Sequence, residues 1–317
     1  MFTAIADRLS VAPLLATSIA LGLSMAAIDG PALTEEVSWL GCWQTADAGQ
    51  TIMFEKDRCA WLRNGKPSFY RTEYSAEGAR IETWARITDL KLRMDGEALF
   101  MDGPRGQVEL ERTSKVPSKL RVEPYELPAD IEVDEGLAAA VLEDLRERSR
   151  EDQRVRSGGR TSVDAGEMMR VDADNTEFLL IMIEEIGWID ATRFGSEASD
   201  AAFLLVQHSG DIRLMRTALP LVEADVEAGK LNGQAFALLH DRCQLNLGYR
   251  QRYGSQIGIM PDGRSVLMPM EDPDGVDARR AALGMGPLAE YLAHFTGDDG
   301  VPVMSLEEAL ASDRASD

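Results

Sequence analysis

The sequence is poor in the residue types and motifs that mark common enzyme classes. It has three cysteines and three histidines, and it contains no G-x-S-x-G, H-E-x-x-H, C-x-x-C, P-loop or G-x-G-x-x-G motif. These absences argue against the enzyme classes that depend on those motifs. His208, His240 and His294 lie on separate predicted helices, so we expect neither a metal site nor a cofactor. Residues 272–277 (DPDGVD) lack the spacing and the terminal glutamate of an EF-hand calcium loop, and we interpret them as a turn.

Basic residues are scarce relative to acidic residues, and the formal net charge is −21. The imbalance is confined to one part of the chain. Residues 31–122 hold fourteen Lys and Arg against fourteen Asp and Glu, whereas residues 123–317 hold eighteen against thirty-eight. A surface of this kind repels phosphate backbones and anionic lipid headgroups. We therefore expect no nucleic acid partner and no binding to a membrane surface, and we attribute the excess charge to solubility.

Long apolar runs are absent except at the N-terminus. Residues 9–28 carry no charge, and Ser24 and Ala26 supply the small side chains that signal peptidase requires at positions −3 and −1. Because about 20 apolar residues also suffice to span a bilayer, residues 1–28 are either a signal peptide or an uncleaved N-terminal anchor, with a buried helix as the remaining alternative. We expect a periplasmic or secreted protein, or one anchored in the inner membrane and facing the periplasm.

Short strand-like runs follow one another through residues 37–122. The pairs Asn64-Gly65 and Asp95-Gly96 lie between such runs, and these pairs are strong hairpin signals. Seven or eight strands in simple succession predict an all-β domain, either a small up-and-down barrel or a curled antiparallel meander. The predicted strands cover residues 50–54, 59–63, 68–74, 80–85, 89–94, 98–101 and 107–112.

The start of this β region resembles that of a known class of domain. The run W-L-G-C-W at residues 39–43 is similar to the W-x-G-x-W opening of small lipocalin-like domains. The resemblance implies a barrel with an apolar pocket for a small ligand. A barrel filled by its own side chains is the alternative, and we favour it for strands this short.

Two of the cysteines, Cys42 and Cys59, lie in the β region, and an oxidising compartment would permit a disulfide between them. Strand geometry decides the matter. If the two residues lie on strands that flank a third strand, their Cα atoms are two interstrand spacings apart and cannot be bridged. The third cysteine, Cys243, lies on an apolar face of a predicted helix, and we expect it to be buried.

The rest of the chain predicts an all-α domain. Residues 123–135 carry prolines among charges and are interpreted as a linker, residues 136–296 form the acidic helical domain, and residues 297–317 form a tail with a short helix. The predicted helices cover residues 137–155, 174–186, 197–208, 211–228, 233–247, 276–283 and 287–295, and a capping box at 305–308 starts the last one.

Several segments of the helical region carry a resemblance to a known family. They include E-D-Q-x-x-R at 151–156, D-N-T at 174–176, A-F-L-L-V-Q-H at 202–208, D-R at 241–242, Q-R-Y-G-S-Q at 251–256 and P-L-A-E-Y at 287–291. In this order they resemble the uncharacterised bacterial domain-of-unknown-function family 6624. The chain departs from the family at Ile189, where the family tends to have proline, and at Ser255, where it has threonine. A shorter, less aromatic pair usually replaces Tyr249-Arg250. The family has no established activity, so the resemblance implies no reaction.

Residues that are costly to bury recur within these segments. His208 ends an apolar predicted helix, and Asp241 lies in the middle of another. The polar loop of residues 250–256 follows, and its arginines suit a carboxylate or a phosphate. The candidate ligand-binding residues are Arg242, Gln251, Arg252, Tyr253 and Gln256.

Two functional hypotheses fit this pattern. The first is a binding module that recognises a polar or anionic ligand, or a partner protein's carboxylate, through the loop of residues 250–256. The second is a hydrolase in which His208 is the general base, Asp241 orients it and Arg252 stabilises charge. A protein of the cell envelope that only presents interaction surfaces is a third alternative. A purely structural network is the competing interpretation of the polar residues, and it includes Asp152, Gln153, Arg156, Glu271, Asp272, Arg279 and Arg280.

Overall fold

A computed structural model describes residues 39–82, 87–103, 106–129, 131–157, 164–260, 262–296 and 303–316. The predicted N-terminal targeting segment, residues 1–28, lies outside these ranges. Within them, no helix combines the length and the apolar character needed to cross a membrane.

Eight antiparallel strands close into a barrel, in which each strand pairs with its neighbours in sequence and the last pairs with the first. The turn between the third and fourth strands places Asn64 and Gly65 at φ of +51° and +72°, as tight hairpins require. The predicted N-terminal barrel is therefore confirmed. Its strands are β1 Gly41–Gln44, β2 Gln50–Phe54, β3 Arg58–Arg63, β4 Lys66–Ser75, β5 Gly78–Glu82, β6 Ile87–Asp95, β7 Ala98–Gly103 and β8 Gly106–Arg112.

Large apolar side chains occupy the inside of the barrel. Trp43, Ile52, Phe54, Leu99 and Leu110 are at most 1% exposed. Trp43 lies opposite Ile52 and Leu99 lies opposite Leu110, so that each pair shares one face of the sheet. Full burial of such a side chain contributes about 1.5–3 kcal/mol. These five side chains therefore contribute to an apolar core inside the barrel.

The strand register rules out the Cys42–Cys59 disulfide. Cys42 on β1 lies opposite Met53, whereas Cys59 on β3 lies opposite Phe54. Because Met53 and Phe54 are consecutive residues of β2, the two thiols are on opposite faces of the sheet with a strand between them. Both cysteines are free and buried, and so is Cys243, as predicted for that residue.

The second part of the described chain is helical, as predicted. Aspartate or asparagine side chains cap the first turns of five of the described helices, namely Asp134, Asp164, Asp190, Asp211 and Asn232. The helices are α1 Glu135–Arg156, α2 Ala165–Ile186, α3 Ala191–Phe194, α4 Ser196–His208, α5 Ile212–Glu227, α6 Gly233–Asn246, α7 Val276–Ala282, α8 Leu288–Ala293 and α9 Leu306–Ser316. Helix α4 is central, since it packs against α1, α2, α3, α5 and α6.

The start of α2 differs from the prediction. The D-N-T-E pattern predicted a helix beginning at Asp174, but α2 begins at Ala165, and Asp164 accepts hydrogen bonds from the amides of Gly166 and Glu167. Asp174 lies inside the helix and pairs with Arg148 at 2.6 Å. A cap-like pattern and an ion pair within a helix use the same residue types, so the pattern alone did not separate them.

A three-stranded sheet that the sequence pattern did not predict lies among the last helices of the chain. It consists of β9 Ile257–Ile259, β10 Ser265–Leu267 and β11 Met304–Ser305. Val266 packs with Leu306 and Ala309 of α9 in a small core. The predicted capping box is present: the Ser305 amide donates to Glu308 Oε2 at 2.9 Å, and the Glu308 amide donates to Ser305 Oγ at 3.1 Å.

The proline-bearing segment before α1 is fixed to α5. The Tyr125 amide donates to Thr217 Oγ1 at 2.7 Å, and its hydroxyl donates to Asp211 Oδ2 at 3.0 Å. The Arg213 guanidinium lies over the Tyr125 ring at 4.0 Å. The segment predicted as a linker is therefore held in place by contacts with the helical region.

Residues 39–317 form one compact unit, and the turn after α6 joins the helices to the barrel. The Arg71 amide of β4 donates to the Gly248 carbonyl at 3.1 Å, the Tyr249 hydroxyl donates to Asp57 Oδ1 at 3.2 Å, and Arg250 pairs with Glu82. Gly248 has a φ of +87°, and a Cβ at this position would lie 2.6 Å from the Tyr70 Cα. Only glycine allows both this backbone conformation and this close approach.

Replacing Gly248 is expected to weaken the contact between the barrel and the helices. Gly229→Ala is a matched control, because Gly229 also has a positive φ, of +69°, but a Cβ there meets no atom within 4 Å. The control should cost about 1–2 kcal/mol for the left-handed conformation alone. Gly248→Ala should cost about 1–3 kcal/mol more, because the added Cβ overlaps the Tyr70 backbone. Urea unfolding measures both, and equal losses would contradict the close approach.

Candidate functional site

The candidate site lies at the C-terminal end of α4. Ala198, Ala202, Leu205 and Val206 are at most 1% exposed and bind this helix into the core. The helix ends because Gly210, two residues after His208, adopts a φ of +65°. The His208 side chain is 18% exposed. The imidazole thus lies at the edge of the core with one side open.

The partner of His208 is Asp152 of α1. His208 Nδ1 lies 3.0 Å from each carboxylate oxygen of Asp152, whose side chain is fully buried. Gln153 Nε2 donates to Oδ2 at 2.9 Å, and Arg156 Nη1 lies 2.8 Å from Oδ1. Burial acts to raise the pKa of Asp152, but the hydrogen bond and charge of His208, with Gln153 and Arg156, hold this pKa below its usual value. The carboxylate therefore stays ionised next to the imidazole.

This pairing corrects the prediction that Asp241 orients His208. It also favours one tautomer of the neutral imidazole, in which Nδ1 carries the proton and Nε2 carries the lone pair. Nε2 forms no hydrogen bond with the residues that the structure describes, and it is not among their buried atoms without a partner. An open Nε2 opposite a carboxylate-bound Nδ1 is the arrangement that acid–base histidines have in enzymes.

Arg156 connects the pair to α2. Its guanidinium binds Asp152 and also Asp172, so that two carboxylates balance its charge. One turn beyond Asp172, Thr176 Oγ1 donates to the Asp172 carbonyl at 2.6 Å and contacts the Ser209 carbonyl at 3.2 Å, next to His208. Sequence reasoning missed Asp172 because it placed the start of α2 at Asp174. The acidic residue four positions before Thr176 was the available signal.

Arg242 of α6 reaches the same end of α4. Its Nη1 donates to the Gln207 carbonyl at 2.7 Å, and its Nε donates to Gln256 Oε1 at 3.1 Å. Carbonyls in the last turn of a helix lack helical partners and carry partial negative charge, so Arg242 caps α4. Burial, and after it the positive charge of Arg156, lower the pKa of Arg242. The prediction that Arg242 belongs to the polar site is thus retained.

Not every nitrogen of the Arg242 guanidinium has a hydrogen-bond partner in the described chain. Among the described residues no carboxylate pairs with it, and its Nη2 makes no hydrogen bond and is not a buried atom. Both Nη2 of Arg242 and Nε2 of His208 are therefore available to a ligand.

Asp241 does not orient His208 but binds the backbone of the loop after α6. Its buried carboxylate accepts hydrogen bonds from the amides of Arg252 at 2.8 Å, Tyr253 at 3.1 Å and Ser255 at 3.0 Å, and from Ser255 Oγ at 2.9 Å. His240 Nδ1 lies 3.3 Å away. Burial acts to raise the pKa of Asp241, but these hydrogen bonds outweigh it and lower the pKa. Asp241 thus folds the loop after α6.

The two glutamines of the loop bind the backbone. Gln251 is fully buried, and its Nε2 donates to the Met268 carbonyl at 2.7 Å while its Oε1 accepts from the Gln256 amide at 2.8 Å. Gln256 Nε2 donates to the Leu238 carbonyl at 3.2 Å. The polar atoms predicted to bind a ligand are therefore occupied within the fold, and Gln256 in turn holds Arg242.

The remaining arginines of the predicted site are also engaged. Arg252 pairs with Glu271 at 3.2 Å at the surface, and Arg250 pairs with Glu82 of the barrel. Neither contacts His208 or Asp152 within the described part of the chain. The hypothesis that Arg252 stabilises charge beside His208 is wrong in this structure.

Arg279 and Arg280 hold the loop from the side of α7. Arg279 Nε donates to the Arg252 carbonyl at 2.9 Å, and its Nη1 pairs with Asp272 at 2.8 Å. Arg280 Nη1 donates to the Tyr253 carbonyl at 2.9 Å. The part of the predicted structural network formed by Glu271, Asp272, Arg279 and Arg280 is therefore present. Asp152 and Arg156 instead form a cluster with His208.

The other histidines lie apart from this cluster. His240 packs against Phe236 and Tyr253, with ring centroids 5.7 Å and 5.3 Å away, and His294 is exposed. In the described ranges, no group of three or more His, Cys, Asp or Glu side chains is arranged to hold a metal ion.

Comparison with known proteins places the helical region. Residues 153–303 match the model of DUF6624, a family of unknown function. The match confirms the resemblance of the helical region to this family. It includes His208, Asp241 and Arg242, begins one residue after Asp152, and leaves the barrel outside. No curated protein matches the chain.

Asp241→Asn is expected to destabilise the fold, because one carboxylate oxygen that accepts hydrogen bonds becomes an NH2 group that faces the same donors. The loss should be about 3 kcal/mol at pH 7, measured by urea unfolding. The lowered pKa of Asp241 means that its contribution is complete above about pH 4, its unfolded value, and is lost as the pH falls through the lower folded value. The two proteins should therefore converge in strong acid.

Asp272→Asn is the control for this comparison. The Asp272 side chain is 66% exposed and pairs with Arg279, and such surface pairs contribute about 1 kcal/mol or less. Equal effects of the two substitutions at pH 7 would show that Asp241 does not organise the loop.

Proposed function

We propose that the helical region binds a small ligand through its phosphate or carboxylate group, at the end of α4 between Arg242 and His208. The observation that carries this proposal is the state of Arg242. The residue is half-buried, it lacks a carboxylate partner among the described residues, and its Nη2 stays open.

An uncompensated guanidinium in this position favours an anion. A buried charge is unfavourable unless a partner of opposite charge is present. The Gln207 carbonyl and the Gln256 side chain fix the orientation of Arg242, but both are neutral. The end of a helix supplies only about half an elementary charge. A bound oxyanion would supply the missing charge, and arginine is well suited to bind one.

The proposal keeps the predicted class of function and moves its site. The loop of residues 250–256 was expected to contact the ligand, but its polar groups are bound to Asp241, to the backbone and to the barrel. Its contribution is indirect, because Gln256 sets the position of the Arg242 guanidinium.

The charge of the region limits the size of the ligand. Residues 123–317 carry eighteen Lys and Arg against thirty-eight Asp and Glu, so polyanions are repelled. A small molecule with one anionic group can use the local positive charge of Arg242 without this penalty at long range.

A thermal-shift titration with phosphate, sulfate and acetate tests the proposal, with sodium chloride at equal ionic strength as the reference. An anion at about 100 times its Kd should stabilise the protein by about 2.7 kcal/mol. Arg242→Ala should abolish the shift. If the alanine variant does not fold, Arg242→Lys, which keeps the charge, replaces it in the same titration.

Arg252→Ala is the matched control, since Arg252 is the exposed arginine of the loop and pairs only at the surface with Glu271. It should keep the shift. The proposal fails if no anion stabilises the wild type, or if the shift survives in both Arg242 variants. A shift that disappears in Arg252→Ala would return the site to the loop.

We also propose that the protein is exported, on the strength of the apolar run at residues 9–28. Cleavage after Ala26 would leave Ala27 as the first residue, and N-terminal sequencing of the protein from the periplasm or the medium would show it. Recovery of the intact N-terminus in the cytoplasmic fraction would contradict export.

A further inference from the structure

We infer that His208 is an acid–base residue of this site, which contacts the bound anionic substrate and exchanges a proton with it through Nε2, and that Asp152 positions it. The inference rests on the proposed anion site. It adds proton transfer, and therefore a reaction, to ligand binding.

The imidazole is held on two sides. Asp152 fixes the ring through Nδ1, and Gln153 and Arg156 in turn fix the Asp152 carboxylate. Arg242 fixes the backbone one residue before His208, through the Gln207 carbonyl. Both the orientation of the ring and the position of its backbone are therefore defined, as an acid–base residue requires.

The two ring nitrogens of His208 differ in their surroundings. In a neutral imidazole one ring nitrogen donates and the other accepts, and each needs a partner when it is buried. Here the carboxylate partner of Nδ1 is fully buried, whereas Nε2 has no partner in the described chain and is not buried. The fold thus holds one nitrogen firmly and leaves the other available to a ligand.

The proton has a defined path. Nε2 accepts a proton from a bound water as the water oxygen forms a bond to the carbonyl carbon of the ester, and the bond from that carbon to the alcohol oxygen then breaks. The Asp152 carboxylate stabilises the imidazolium that forms, and Arg242 holds the anionic group of the ligand beside it. Nε2 then returns the same proton to the leaving oxygen. Water and an ester thus become an acid and an alcohol, and no further reactant is consumed.

The nearby hydroxyl groups do not serve as nucleophiles. Ser209 Oγ donates to the Val206 carbonyl at 2.9 Å, and Thr176 Oγ1 donates to the Asp172 carbonyl at 2.6 Å. Neither is hydrogen-bonded to His208. The attacking oxygen therefore belongs to water, and the substrate class is a small carboxylic ester that also bears a phosphate or carboxylate group.

Chemical modification of histidine tests the contact without knowledge of the natural substrate. Diethyl pyrocarbonate modifies neutral imidazoles, and the three histidines lie in separable peptides. Phosphate at about ten times its Kd should slow modification of His208 about tenfold, because only the free protein reacts. His294, which is exposed, is the internal control and should react at an unchanged rate. Acetate in place of phosphate distinguishes a carboxylate site from a phosphate site.

Proton exchange is measured on the same proteins. Calorimetry of anion binding in two buffers with different ionisation enthalpies gives the number of protons taken up, and this number should fall in His208→Gln. Asp152→Asn should keep the thermal shift that depends on Arg242 but lose the protection of His208. Asp152→Glu, which restores a carboxylate, should recover part of that protection.

The outcomes separate this inference from the proposed function. If phosphate or acetate stabilises the protein through Arg242 but neither protects His208, the site binds anions without an acid–base residue, and the inference is wrong. Proton uptake that is unchanged in His208→Gln would also overturn it. If no anion gives a shift or protection, the proposed function fails together with the inference.

Discussion

The candidate site depends on a buried carboxylate that is not part of it. Asp241 gathers three backbone amides and one hydroxyl of the loop after α6, and this folds the loop back against its own helix. The folded loop places Gln256 against Arg242, and Arg242 binds the carbonyl that precedes His208. Each of these hydrogen bonds involves a carboxylate, a guanidinium or an amide group at a buried or half-buried position. Hydrogen bonds in such positions are strong, and their loss is costly. The positions of Arg242 and His208 thus depend on the hydrogen bonds that Asp241 forms with the neighbouring loop.

The barrel is attached to the same loop. Gly248 and Tyr249 lead from α6 into the loop and Arg250 begins it, and these three residues contact Arg71, Asp57 and Glu82 of the barrel. The family match leaves the barrel outside. We interpret Tyr249 and Arg250 as residues adapted to a barrel that packs on the helical region.

Patterns with a local cause were readable from the sequence. The barrel followed from hairpin pairs such as Asn64-Gly65, most helices from their apolar spacing, and the last helix from the Ser305–Glu308 capping box. The partners of the polar residues were not readable. His208 and Asp152 are 56 positions apart, and no local pattern in the sequence favours Asp152 over Asp241 as the partner of His208. Only the packing of α1 on α4 brings Asp152 to His208. Packing also determines that Arg242 Nη2 and His208 Nε2 lack partners among the described residues, and no sequence pattern predicts this.

The most direct test of the account is a crystal structure of the protein with phosphate or acetate bound at a saturating concentration. The account predicts an anion at the end of α4, within hydrogen-bond distance of both Arg242 Nη2 and His208 Nε2, with the Asp241 loop unchanged. An anion on the loop of residues 250–256, or an empty site under these conditions, would contradict it.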